Sequence, residues 1–227
     1  MSLRLNCCTQ YERPKSAYTI TYTLRAHQAD ALPHYFAPFM FPLMRFTLSD
    51  AFPLRSARVH EVCGVGAKSF AIMAAQDRCL WIRESWQSDT LAPHGLMPFF
   101  APADLLLAQP KDQADALAVA EEALKDGALP FVVLEITRPL NLREGRRLQL
   151  AAKAGGTTGL CVIPEGMGSN AAETRWKAAP LFDEQGEDST LQRWEIIKNK
   201  SGTKKAWSVK WDAQTRRINV VSEVAQR

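Results

Sequence analysis

The sequence predicts an α/β fold: a largely parallel mixed sheet whose last strands form an antiparallel meander. Three observations carry that expectation. From residue 58 onward, short unalternating apolar runs are separated by helical patterns, as in strands buried on both faces. Two of the intervening helices carry their own start and stop signals. Towards the C-terminus the helical patterns cease, and β-rich segments follow one another across short polar links.

The expected parallel strands are RVHEVCG, CLWIRE, DLLLAQ, PFVVLEI and GLCVIPE, in that order. In KDQADALAVAEEALKDGA, Asp112 caps a helix with Asp115 three residues on. Leu117, Val119, Ala120 and Leu124 fall broadly on one side, and Gly127 supplies a left-handed stop. In NLREGRRLQLAAKAGG, Asn141 and Glu144 make a similar opening and Gly155 a similar end. TRWKAAP, RWEIIKNK, KAWSVKWD and RRINVVSE are the expected meander, with KSGTKK as one of its links. Residues 222–227 are expected to form a tail.

Residues 1–45 lack sustained periodicity, contain Cys7-Cys8 and several prolines, and are expected to form a poorly ordered N-terminal segment. Met44 precedes a run, RFTLSDAFPL, that leads straight into the domain, which makes it an alternative start of translation. The principal domain is accordingly expected over residues 46–221.

Composition narrows the classes. A chain of 227 residues with 46% hydrophobic content buries one good core. The cysteines Cys7, Cys8, Cys63, Cys79 and Cys161 are odd in number and contain no C-x-x-C pair, which argues against a disulfide framework and a zinc site. A reducing cytoplasm is the expected location. The apolar stretch from Pro33 to Met44 is too short to span a bilayer and is broken by prolines, and neither a signal peptide nor a membrane helix is expected. A net charge of +4 permits contact with nucleic acid without requiring it.

The stretch RVHEVCGVGAKSFA, residues 58–71, sets the functional question. A phosphate-binding loop needs G-x-x-x-x-G-K-[ST], because the intervening backbone amides wrap the phosphates while lysine and hydroxyl meet phosphate and magnesium. Here Lys68-Ser69 is preceded by Ala67, Val62 stands where the first glycine belongs, and only Gly64 and Gly66 supply glycine. The loop is too short to encircle a triphosphate, and Ala67 adds a Cβ where backbone should approach. The expectation is a degenerate loop, with Lys68 a surface lysine at a helix start, no metal site and no cofactor. Glu84 after CLWIR and Glu135 at the end of FVVLE stand where a water-activating and a metal-coordinating acid sit in ATPases of this plan. With the loop truncated, both are expected to be vestigial, ordinary solvated charges at strand ends.

The segment Lys198 to Lys205, with Arg216 and Arg217 nearby, is either a solvated basic hairpin or a contact for DNA phosphates through Lys198, Lys200, Lys204 and Lys205. Trp194, Trp207 and Trp211 are expected to fill the core rather than stack on bases. Thr174 to Trp176 is expected to shape the sheet edge. His27, His34, His60 and His94 lack ligand spacing, and His60 is expected to pack at a strand start. No nucleophile elbow stands out.

The order of these elements resembles RecA. Within that resemblance, RVHEVCGVGAKSFA, LLLAQPKDQADALAVAEEALKDGAL, RRLQLAAKAGGTTGL and RWEIIKNKSGTKKAWSVKWD resemble the recurring blocks of the ImuA family, RecA-like or SulA-like proteins of the inducible mutagenesis cassette, over about residues 46–212. The resemblance implies a pseudo-ATPase on a RecA-like core that serves error-prone translesion synthesis in the SOS response to DNA damage. It implies as partners the polymerase-like protein ImuB and an error-prone C-family DNA polymerase, with RecA and DNA as further candidates. Two alternatives stand beside it: a DNA-dependent ATPase with an atypical loop, and a SulA-like inhibitor of cell division that binds FtsZ.

Overall fold

The computed structural model describes residues 47–75, 78–89, 91–183 and 190–224. The chain divides into two units, Met1–Leu43 and Met44–Arg227; the first, with the expected N-terminal segment and the pair Cys7-Cys8, lies outside the described residues.

In the second unit the elements run β1 (Val59–Cys63), α1 (Ala67–Ala74), β2 (Cys79–Ile82), α2 (Pro93–Leu96), β3 (Leu105–Ala108), α3 (Gln113–Asp126), β4 (Phe131–Glu135), α4 (Leu142–Gly155) and β5 (Thr158–Val162). Then come β6 (Thr174–Pro180), β7 (Gln192–Asn199), β8 (Ala206–Asp212) and β9 (Arg217–Val224). Among the described residues, all nine strands join one sheet in the order β3-β2-β4-β5-β1-β6-β7-β8-β9. The pairs from β3 to β6 are parallel and those from β6 to β9 antiparallel, so the expected meander is the second half of a continuous sheet. β9 carries that sheet through Val224, the third residue of the expected tail.

Alternation along the strands divides the core in two. Val62, Trp81, Val133 and Leu160 pack with α1 on one face, while Cys63, Ile82, Leu134 and Cys161 pack with α3 and α4 on the other. α3 opens at Asp112, which accepts from the Asp115 amide at 3.0 Å, and ends at the left-handed Gly127. α4 opens on the Asn141/Glu144 capping box, but its left-handed stop is Gly156 rather than the expected Gly155. Gly155 is required for another reason: a Cβ there would stand 2.1 Å from the Leu124 carbonyl oxygen of α3. β3 also departs from expectation. It is the edge strand, so Leu106 and Leu107 remain half-exposed instead of buried on both faces.

The tryptophans fill the α1 face. Phe70 lies 4.4 Å from Trp194 and 5.4 Å from Trp176 between ring centroids, and Phe52 closes on Trp194 at 5.1 Å. Trp207 and Trp211 are buried in the same cluster. Trp194→Ala is expected to remove about 3–5 kcal/mol of unfolding free energy, the usual cost of an emptied aromatic site. Urea denaturation measures it, and a loss under about 1 kcal/mol would contradict this packing.

Burial also settles the cysteines. It pushes the Cys79 thiol up to about 12, the Cys161 thiol well above the ordinary range and the Cys63 thiol upward, so none of the three offers a thiolate near neutral pH. Among the described residues, no group of three or more histidine, cysteine or acidic side chains is placed to hold a metal ion. No described helix is long and apolar enough to cross a membrane.

Candidate functional site

The carboxyl ends of β1, β4 and β5 open onto a cavity of about 750 Å³. In an open α/β sheet this crevice is where ligands bind. Gly64, Val65 and Gly66 alone connect β1 to α1, so Lys68 sits in the first turn of α1 at the cavity wall. Ser69, the next residue, is half-buried.

This loop is fastened to the neighbouring strand. Gly64 has φ +94°, and a Cβ on it would meet the Ala178 carbonyl oxygen of β6 at 2.4 Å. The Gly66 amide donates to that same carbonyl at 3.0 Å, and the Ala67 amide donates to the Gly64 carbonyl at 3.0 Å. Two of the amides that would otherwise face a phosphate are therefore spent inside the fold.

Lys68 is spent as well. Its ammonium is ion-paired with Asp89 and lies 3.4 Å from Glu135 Oε2. Asp89 also accepts from Arg83 Nη2 at 2.5 Å. The hydrogen bonds from Lys68 and then Arg83 hold the Asp89 carboxyl down to about 2, so this carboxylate stays ionised at any physiological pH.

Neither Glu84 nor Glu135 is the solvated strand-end charge expected from the sequence. Glu135 is 5% exposed, accepts from Trp81 Nε1 at 2.7 Å and lies 3.7 Å from Arg83 Nε. Glu84 is 4% exposed, accepts from the Trp86 indole, and lies 3.1 Å from the Thr137 hydroxyl, which also meets Gln113 of α3. The strands end inside this layer of side chains, and buried carboxylates must be paired.

Sequence reasoning named Gly64, Gly66, Lys68, Ser69, Glu84 and Glu135, and the fold gathers five of them at or beside the cavity, with Glu84 turned towards the start of α3. It missed Asp89, Arg83, Trp81 and Thr137. Two carboxylates, from Glu135 and Asp89, stand against the two cations Lys68 and Arg83, while Glu84 accepts from Thr137 instead. A nucleotide triphosphate entering here would have to displace Asp89 from Lys68 and face the remaining acids.

The basic hairpin lies elsewhere. Lys198 donates to the Ala172 and Asn170 carbonyls, and Lys200 donates to the Ala171 carbonyl at 2.7 Å. Burial, then the nearby Lys200, holds the Lys198 ammonium below its ordinary range. Lys205 pairs with Glu223 at 3.3 Å, while Lys204 is exposed. Three of the four candidate DNA-contacting lysines thus have intramolecular partners.

The sheet order, the crossover helices and the crevice position define a RecA-like fold. Among solved structures, the crystal structure of the RadB recombinase aligns with a TM-score of 0.54 at 13% sequence identity, covering 74% of this chain and 92% of that one. No protein-family model matches the chain, and no curated protein matches it in sequence.

Proposed function

We propose that this chain is a non-catalytic, RecA-like accessory protein of damage-induced mutagenesis, working in the cytoplasm. The observation that carries the non-catalytic reading is the occupied lysine: Lys68, the one cation of the loop, is neutralised by Asp89 and Glu135. A ligand that relies on charge must first break those pairs. Assignment to translesion synthesis rests on the four sequence blocks that resemble the ImuA family, and brings with it an ImuB-like protein and an error-prone C-family polymerase as partners. RecA is a further candidate partner. DNA is the weaker one, given the engaged lysines of the hairpin.

Two measurements test this reading. Titration with ATP and magnesium is expected to give no saturable binding below the millimolar range and no hydrolysis above background, with or without single-stranded DNA. Micromolar affinity that depends on Lys68 would overturn the non-catalytic reading and favour a DNA-dependent ATPase. In a deletion strain, the wild-type gene and Lys68→Ala are both expected to restore ultraviolet-induced mutation. Lost filamentation with induced mutation intact would move the assignment to a division inhibitor that binds FtsZ.

A further inference from the structure

The outer side of α4 carries a preformed basic and apolar groove. Leu142, Arg146 and Leu150 run along it, facing Asn170, Ala171 and Lys200 across a cavity of about 520 Å³. Leu142 is 49% and Leu150 68% exposed, unusual for leucines on a helix whose other face is well packed. Arg143, Arg146 and Lys153 are also exposed, and none of the three makes an ion pair among the described residues.

The walls of the groove are held in place. Gln149 grips the backbone of Val59 in both directions, its Oε1 accepting at 3.2 Å and its Nε2 donating at 2.7 Å. Lys200 braces the opposite wall through the Ala171 carbonyl at 2.7 Å. A groove that is rigid before binding spares its ligand the entropy of ordering it.

We propose that this groove docks an acidic, amphipathic segment of a partner protein. The two leucines are eight residues apart on one helix, about 12 Å, with a free guanidinium between them. The complementary ligand therefore presents two apolar side chains about 12 Å apart with one or more carboxylates between them. In a helical ligand that is an apolar pair at i and i+7 or i+8 with Asp or Glu at i+3 or i+4. Nucleic acid fits less well, because phosphates give the two leucines nothing to bury against. Glu173, 16% exposed, already neutralises Lys200 and Arg58 on the far rim, which leaves Arg146 as the principal cation facing the ligand.

The test is a selection from a library of random sixteen-residue peptides displayed on phage, against the full-length protein. Enriched peptides are expected to carry acidic residues between two apolar ones at the stated spacing. Synthetic versions should bind at least tenfold more weakly to Arg146→Glu and to Leu150→Ser, and to the wild type in high salt. Both substitutions are at exposed positions, and unchanged thermal melts would show that they leave the fold intact. Enrichment of basic or purely apolar peptides, failure to enrich any, or affinity indifferent to both substitutions would overturn the proposal. So would a single-stranded oligonucleotide that binds this face and is lost with Arg146→Glu. A concentration-dependent dimer abolished by Arg146→Glu would give the face to a second copy and equally overturn it.

Discussion

Glu61→Ala is expected to lower the unfolding free energy by about 3–5 kcal/mol, the usual cost of removing one partner from a buried ion pair. Glu61 lies in the middle of β1, 1% exposed, with β5 on one side and β6 on the other. Its Oε2 accepts from Arg175 Nε at 2.7 Å, and its Oε1 accepts from the Ser169 amide at 2.8 Å. Arg175 Nη2 then donates to the Ser169 carbonyl at 2.9 Å, so one carboxylate and one guanidinium together hold the β5–β6 connection onto the sheet. Gly168 makes this possible, since a Cβ there would fall 1.7 Å from the Arg175 guanidinium carbon. Truncating Glu61 leaves Arg175 largely buried, with its charge unmatched and the connection untied. Because a domain's whole stability is about 5–15 kcal/mol, the loss should appear as a large drop in denaturation midpoint. A double-mutant cycle with Arg175→Ala should return a coupling above about 1 kcal/mol, and additivity of the two losses would refute the pairing. Amide exchange over residues 165–173 should quicken in Glu61→Ala before exchange elsewhere does.

The tether also explains why the site was only half legible in the sequence. Strands could be read because a run such as FVVLE has to be buried on both faces, and helix ends because Asp112 and Asn141 satisfy local amides within three residues. The short connection from β1 to α1 was legible for the same reason: its spacing is local. Lys68 meeting Asp89 spans 21 positions, and it depends on how the segment after β2 folds back over the crevice, which no periodicity announces. The hairpin misled in a similar way. A run of lysines reads as solvated or DNA-facing, yet Lys198 and Lys200 are drawn to carbonyls 26 and 29 residues earlier in the β5–β6 connection. That connection is rich in small residues and turns, so its carbonyls lack strand partners and need outside donors. Glu84 and Glu135 were placed at strand ends, but the groups that partner them there, Thr137 for Glu84 and Trp81 for Glu135, lie 53 and 54 positions away in the sequence.

Acid is expected to weaken the fold from about pH 6.5 downward, through the buried His60. His60 is 1% exposed in β1, where its Nε2–H donates to the Arg55 carbonyl at 3.0 Å. Its Nδ1 is then an acceptor, 2.7 Å from the Thr174 hydroxyl, which itself accepts from Trp176 Nε1 at 2.9 Å. A second proton on the ring would turn Nδ1 into a donor and strand the Thr174 hydroxyl proton in the core. Burial is the largest effect and pulls the His60 pKa down to about 4, while the unfolded chain titrates near 6.5. Between those values the unfolded state binds the extra proton and the folded state does not. The stabilisation is therefore complete above pH about 6.5 and falls by about 3 kcal/mol as pH drops towards 4. Asp89, held at about 2, begins to lose its own contribution only below the ordinary carboxylate range near 3.8, so the upper window belongs to the histidine. Denaturation midpoints from pH 8 to 4.5 should fall steadily below pH 6.5 for the wild-type chain. In His60→Gln the same series should start lower and run nearly flat across the window, because the variant has no proton to gain there. A flat wild-type profile between pH 7 and 5 would mean that His60 is charged or solvated, and that the Trp176–Thr174–His60–Arg55 relay is not formed.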